Sequence, residues 1–154
     1  MTNRAPTFVA WLVLAVSGVA GAWDGPPAAP GPKDRCATCG MLVAKYPAWV
    51  AAIVRPDGSC LYFDGPKDLF RYLARPGADT DPKAEIWVTD YYTAKPIKAR
   101  DAVFVRGSDV LGPMGVELVP LASAELAEEF RADHGGEPPL DFEDVDDAVL
   151  EALE

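Results

Sequence analysis

Two stretches of the chain run through the same order of local signals, and that order most limits the fold. In the first, the apolar run over residues 48–54 predicts a strand, and Arg55-Pro56-Asp57-Gly58 has the chemistry of a tight turn. Residues 60–63 return as a second strand. Asp64-Gly65-Pro66 then opens a helix over 67–74, with proline suited to the first helical position. The segment EIWVTDYYT, residues 85–93, alternates enough to be a half-buried strand. In the second stretch, strands are expected over 102–105 and 116–121 around a turn at 112–115. Ser123 then caps a helix running to about residue 133, with Glu125 and Glu128 near its positive end. The helices agree in pattern: Leu69, Phe70 and Leu73 in one, Leu126, Ala127 and Phe130 in the other, each spaced i, i+1, i+4 on one face. The expectation is an α+β fold of two similar small strand-strand-helix units sharing one core, about 34–95 and 96–136. The same order also arises by coincidence, because it is a common local arrangement.

A chain of 154 residues, 49% hydrophobic, has enough apolar material for one ordinary domain or two very small ones. Its ends read differently from its middle. Residues 1–22 carry Arg4, an apolar run over 8–19 and the small residues Ala20-Gly21-Ala22, which predicts a signal peptide and a periplasmic protein. The alternative is an uncleaved anchor, for which the run is short. No cysteine lies in or directly after it, so neither a lipoprotein anchor nor another direct membrane anchor is expected. Residues 23–33 (WDGPPAAPGPK) form a Pro/Gly-rich tether, and the folded part, 34–136, follows. Residues 137–154 read as an acidic tail or as a last amphipathic helix using Val145, Ala148, Val149 and Ala152. The formal charge is −10, and it becomes −11 without residues 1–22, which hold one arginine and no acid. Such a chain will not hold a nucleic-acid backbone or adhere electrostatically to anionic lipid.

The soft-ligand residues beyond the signal are Cys36, Cys39, Cys60, Met41 and Met114, with His134 the single histidine. Both methionines stand beside glycines in turn-like sequence, Cys39-Gly40-Met41 and Gly112-Pro113-Met114-Gly115, whereas core methionines normally sit inside apolar periodic segments. In an extended backbone Cys39 and Met41 project from one face, a thiolate and a thioether for one ion, with Met114 closing the site from the second unit. That sulfur set suits Cu(I), while zinc prefers thiolate, imidazole and carboxylate. Other readings stay open. Cys36 and Cys39 can form a structural or catalytic disulfide in an oxidising compartment. Cys36, Cys39, Cys60 and His134 formally make a structural zinc set. His134-Gly135-Gly136 can simply terminate a helix. An enzyme would be a thiol-disulfide oxidoreductase cycling Cys36 and Cys39, or a lyase acting on a metal–carbon bond. A lone histidine and the absence of a phosphate loop or serine elbow speak against hydrolysis.

The segments CATCGMLVAKYPAWVAAIVRPDGSCLYFDGPKDLFRYL, GSDVLGPMGVELVPLAS and EEFRADHGG closely resemble the NosL family, over roughly residues 36–136. The resemblance implies an extracytoplasmic Cu(I)-binding metallochaperone, not an enzyme. Its implied partners are nitrous oxide reductase and the membrane copper-maturation machinery that assembles its copper centres. It also implies two similar α+β units, related in shape to an organomercurial lyase domain. The family's copper ligands carry over to Cys39 and Met114, with Met41 a neighbour; Cys36 and His134 match family patterns with a weaker claim on the metal. Many NosL proteins carry a lipoprotein cysteine at the signal cleavage site, which this sequence lacks. Cys60 falls outside the signatures and is assigned to packing.

Overall fold

The computed structural model describes residues 25–78 and 81–154. The signal peptide expected over 1–22 and the start of the tether lie outside the described residues. Strand β1 (Ala51–Val54) is buried along its whole length and pairs antiparallel with β2 (Cys60–Phe63) on one side and β3 (Glu85–Thr89) on the other. β4 (Pro96–Lys98) extends this sheet, giving the order β2-β1-β3-β4. The β1–β2 connection is the expected turn: the Gly58 N–H donates to the Arg55 carbonyl at 2.8 Å. Helix α1 (Pro66–Leu73) follows β2 at once, with proline in its first turn and Leu69 and Phe70 buried.

A second sheet, β8-β5-β9, joins β5 (Val103–Val105), β8 (Val119–Leu121) and β9 (Leu140–Asp141). Between β5 and β8 the chain makes a separate hairpin, β6 (Leu111–Gly112) against β7 (Gly115–Val116). Helix α2 (Ala124–His134) starts where Ser123 accepts the Leu126 N–H at 3.3 Å. The chain finishes in α3 (Asp147–Glu151).

Several expected boundaries move, each for a local reason. The strand expected from residue 48 begins at Ala51, because Pro47 opens a 3-10 turn, Pro47–Trp49, and has no N–H to give a ladder. The strand expected over 85–93 stops at Thr89. There the buried Asp90 carboxylate accepts the Thr93 N–H at 2.9 Å and the Ala122 N–H at 3.0 Å, turning the chain and tying it to the residue that follows β8. The strand expected over 116–121 is two strands, interrupted at Glu117 and Leu118. In the C-terminal helix the buried residues are Val149 and Leu150, joined by Leu153 just beyond it, while Ala148 and the C-cap Ala152 are exposed.

The main core gathers Phe63, Leu69, Phe70, Phe104 and Leu118 with Phe142, Val149 and Leu153 from the chain's end. Each fully buried side chain of this size contributes roughly 1.5–3 kcal/mol. Phe70 joins α1 to β5 and to the segment after β9, its ring 5.2 Å from that of Phe104 and 5.0 Å from that of Phe142. A smaller cluster of Val105, Val119, Leu121, Ala127 and Phe130 holds α2 to the second sheet.

Candidate metal centre

The stretch Cys36-Ala37-Thr38-Cys39-Gly40-Met41 folds as a closed loop. Its ends are tied by the Cys36 N–H donating to the Met41 carbonyl at 2.8 Å, and the Gly40 N–H donates to the Cys36 carbonyl at 2.9 Å. Gly40 sits at φ +80°, a conformation glycine adopts without steric cost. The extended arrangement expected for Cys39 and Met41 is therefore replaced by a turn. The loop is anchored to its surroundings: the Ala37 N–H donates to the Tyr62 carbonyl of β2 at 2.9 Å, and the Thr38 hydroxyl to the Asp68 carbonyl of α1 at 2.8 Å.

This anchoring sets two thiols against two carboxylates. The Cys36 thiol donates to Asp68 Oδ2 at 3.2 Å and the Cys39 thiol to Asp64 Oδ1 at 3.4 Å. One ligand atom from each of Cys36, Cys39, Asp64 and Asp68 lies within 4.8 Å of the others. Both carboxylates are buried, Cys36 is 3% exposed, and Cys39 is the exposed member. Asp64 Oδ2 is buried with no hydrogen-bond partner. A buried carboxylate oxygen left in that state is costly, and a cation among the sulfurs would satisfy it. Burial, with Asp64 adding to it, pushes the Cys36 thiol up to about 11. Loss of water around its sulfur, reinforced by Asp68 and Cys36, also pushes the Cys39 thiol up, although the residue as a whole is exposed. Both thiols are protonated at neutral pH, so an incoming metal ion has to displace protons.

The remaining residues singled out in the sequence fall into two groups. Met114 stands at the tip of the β6–β7 hairpin, 48% exposed. Its turn has Pro113 at the second position and left-handed Gly115 at the fourth, as a type I turn favours. The Met114 carbonyl accepts from Lys67 Nζ at 3.3 Å, which brings the hairpin to the first turn of α1, the helix that also carries Asp68. Met41 lies at the end of the cysteine loop, half-buried. His134 and Cys60 are elsewhere, so the three-cysteine, one-histidine zinc set does not assemble. His134 ends α2, with Nδ1 2.9 Å from Asp109 Oδ1, Nε2 3.4 Å from the Tyr91 hydroxyl, and its ring stacked on Phe130. Cys60 is half-buried in β2 with its thiol toward the Gly58 carbonyl at 3.7 Å. All three cysteines are free thiols, and the C-x-x-C segment is a turn with no helix starting at Cys36.

Sequence reasoning missed Asp64 and Asp68 as members of the cluster. Both stand in the segment Phe63-Asp64-Gly65-Pro66-Lys67-Asp68, where the chain leaves a strand and enters a helix, and Asp64 reads there as a cap. It makes no cap: the residue before α1 is Gly65, and no side chain of its own accepts from the helix.

The protein-family model described as NosL matches residues 27–150. The chain belongs to the NosL family. The matched region holds the cysteine loop, α1 and the Met114 hairpin alike. A curated NosL relative, the "Copper-binding lipoprotein NosL" of Stutzerimonas stutzeri, is 29% identical over 127 residues, 77% of this chain and 65% of its own length. The chain thus spans just under two thirds of that relative. The crystal structure of the copper chaperone NosL from Shewanella denitrificans superposes with a TM-score of 0.68 at 26% identity, covering 79% of this chain and 96% of the other. The α+β architecture is therefore the NosL fold.

Proposed function

We propose that this chain is an extracytoplasmic Cu(I) metallochaperone, a carrier with no catalysis of its own. The observation that carries the reading is the convergence of the Cys36 and Cys39 thiols on one point beside a helix onto which the Met114 hairpin is docked. Thiolate and thioether are the donors a soft monovalent ion prefers. In this reading Cys39 and Met114 supply the principal ligands, with Met41 a neighbour and Cys36 an inner thiol that can join them. The carboxylates of Asp64 and Asp68, harder donors, hold the thiol protons before loading and balance charge afterwards. Cys39 and Met114 are both exposed, so a recipient's ligand can reach the ion and take it by exchange.

The names of both relatives refer to copper, and family membership supports extending that role here. The recipient in this reading is nitrous oxide reductase, reached with its membrane copper-maturation machinery. In this reading the protein works in the periplasm after an N-terminal signal is removed; among the described residues no helix is long and apolar enough to cross a membrane. We further read β1-β2-α1 and β5-β8-α2 as two related units, since each is an antiparallel pair followed by a helix.

The test is an anaerobic Cu(I) titration against a competing chelator. One equivalent should bind, and Cys39→Ala or Met114→Ala should weaken binding by about 10- to 100-fold or more while the circular dichroism spectrum is retained. Preferential zinc binding, with unfolding when zinc is removed, would assign the cluster to structure instead. Reduction of a model disulfide at equal rates with and without Met114 would assign it to redox chemistry.

A further inference from the structure

Among the described residues the β6–β7 hairpin pairs with no other strand. A two-stranded hairpin alone is marginally stable in water, and the outer face of this one is bare: Leu111 is 62% exposed and its cross-strand partner Val116 is 40% exposed. What fixes it lies on the inner face. Glu117, the residue after β7, is 3% exposed, and its Oε1 accepts the Lys67 N–H at 2.6 Å and the Leu118 N–H at 3.0 Å. It thereby fills the vacancy at the N-terminus of α1, whose own N-cap, Gly65, has no side chain to offer. Lys67 answers in the other direction, its Nζ donating to the Val116 carbonyl at 2.6 Å and the Met114 carbonyl at 3.3 Å. Two glycines make the room. A Cβ on Gly65 would lie 2.3 Å from Glu117 Oε2, and one on Gly112 would lie 2.9 Å from Glu117 Cγ.

We propose that Glu117 and Lys67 are positioning residues, a reciprocal clamp between α1 and the hairpin that sets the Met114 thioether against the cysteine loop for copper. This rests on the reading of Met114 as a copper ligand. The clamp gives Lys67 and Gly65 of the Phe63–Asp68 segment, and Gly112 of the Met114 turn, one shared purpose. Without it the sulfurs belong to two separately anchored pieces of chain, and the effective concentration of the thioether at the site falls.

The test compares anaerobic Cu(I) affinities of the full chain, Glu117→Ala, Lys67→Leu, Met114→Ala and the double variant Glu117→Ala/Met114→Ala, with the number of copper–sulfur bonds read by X-ray absorption. Glu117→Ala and Lys67→Leu are each expected to lose about 10- to 100-fold in affinity and one sulfur neighbour, as for other groups that orient a metal ligand. The double variant should bind no more weakly than Met114→Ala alone, because two changes that act through one ligand are not additive. Glu117→Gln, which keeps the acceptor oxygen, should recover most of the loss. Parental affinity in either folded clamp variant, or additive losses in the double variant, overturns the clamp while leaving the copper site standing. Parental affinity in Met114→Ala overturns the ligand assignment and the clamp with it. If Glu117→Ala does not fold, Lys67→Leu, which keeps an aliphatic side chain and adds no sulfur, decides alone. If neither folds, the pair is a requirement of the fold and the proposal falls.

Discussion

Glu117 should make the metal-free protein less stable as pH rises from acid to neutral, the reverse of ordinary acid denaturation. Its carboxyl is buried, and burial is the dominant influence: it lifts the group from its ordinary 4.5 to about 7, against the pull of the Leu118 and Lys67 N–H groups and the Lys67 charge. Between those values the folded protein keeps a proton that the unfolded chain has lost. The stabilisation is therefore complete below about pH 4.5, declines through the interval, and is gone above about pH 7. At 1.36 kcal/mol per pH unit the full change is about 3 kcal/mol, a sizeable share of a small domain's stability. Replacing the acid by its amide removes the proton equilibrium and leaves an acceptor oxygen of the same shape. Urea unfolding of the parent and of Glu117→Gln from about pH 4 to pH 8 isolates the effect, because every other titrating group cancels in the difference. The stability of the variant relative to the parent should climb by about 3 kcal/mol across the interval and then level off. Parallel curves would show that Glu117 titrates normally, and the account of its burial between α1 and the hairpin would be wrong.

Three further outcomes follow from the same coordinates. Phe70→Ala should cost about 3–5 kcal/mol in denaturant unfolding, because its ring fills the junction between Phe104 and Phe142; a loss under about 1 kcal/mol contradicts a shared core. Cu(I) affinity should rise with pH by about tenfold per unit for each thiol proton displaced, since burial holds the Cys36 thiol near 11 and raises Cys39 as well. Competition titrations between about pH 6 and 8 measure this, and a flat profile removes the protonated thiols from the account. Ser123→Ala should destabilise the protein by about 1 kcal/mol through loss of its bond to the Leu126 N–H, read as a lowered urea midpoint.

The parts of this fold legible in the sequence are those fixed by short-range chemistry. Strand β2 was expected over the residues it occupies, because turn residues bound it on both sides, and Ser123 signalled α2 by the hydrogen bond its side chain makes. Strands β4 and β9 escaped notice because each is two or three residues long and exists only through its partner, β3 or β5. The single strand expected over 116–121 failed for a more instructive reason. Val-Glu-Leu-Val-Pro-Leu alternates well enough for a strand, yet Glu117 leaves the ladder to reach an unsatisfied helix terminus fifty residues earlier in the chain. No window of sequence holds both partners of that bond.

The same division runs through the candidate site. Cysteine spacing and glycine-flanked methionines could be read along the chain, and both were. The carboxylates could not, because Asp64 and Asp68 acquire their meaning only when β2 and α1 carry them to the cysteine loop. Burial, reinforced by these carboxylates, keeps the unloaded thiols protonated and poorly nucleophilic. Under oxidising conditions that matters, since the thiolate is the form that attacks a disulfide and Cys36 and Cys39 would otherwise be apt to pair. A thiophilic cation gains enough from sulfur to expel those protons, and its arrival also gives the orphaned Asp64 Oδ2 a counter-charge. In the proposed carrier the carboxylates thus protect the resting site: they keep its sulfur available for metal without leaving it available for oxidation.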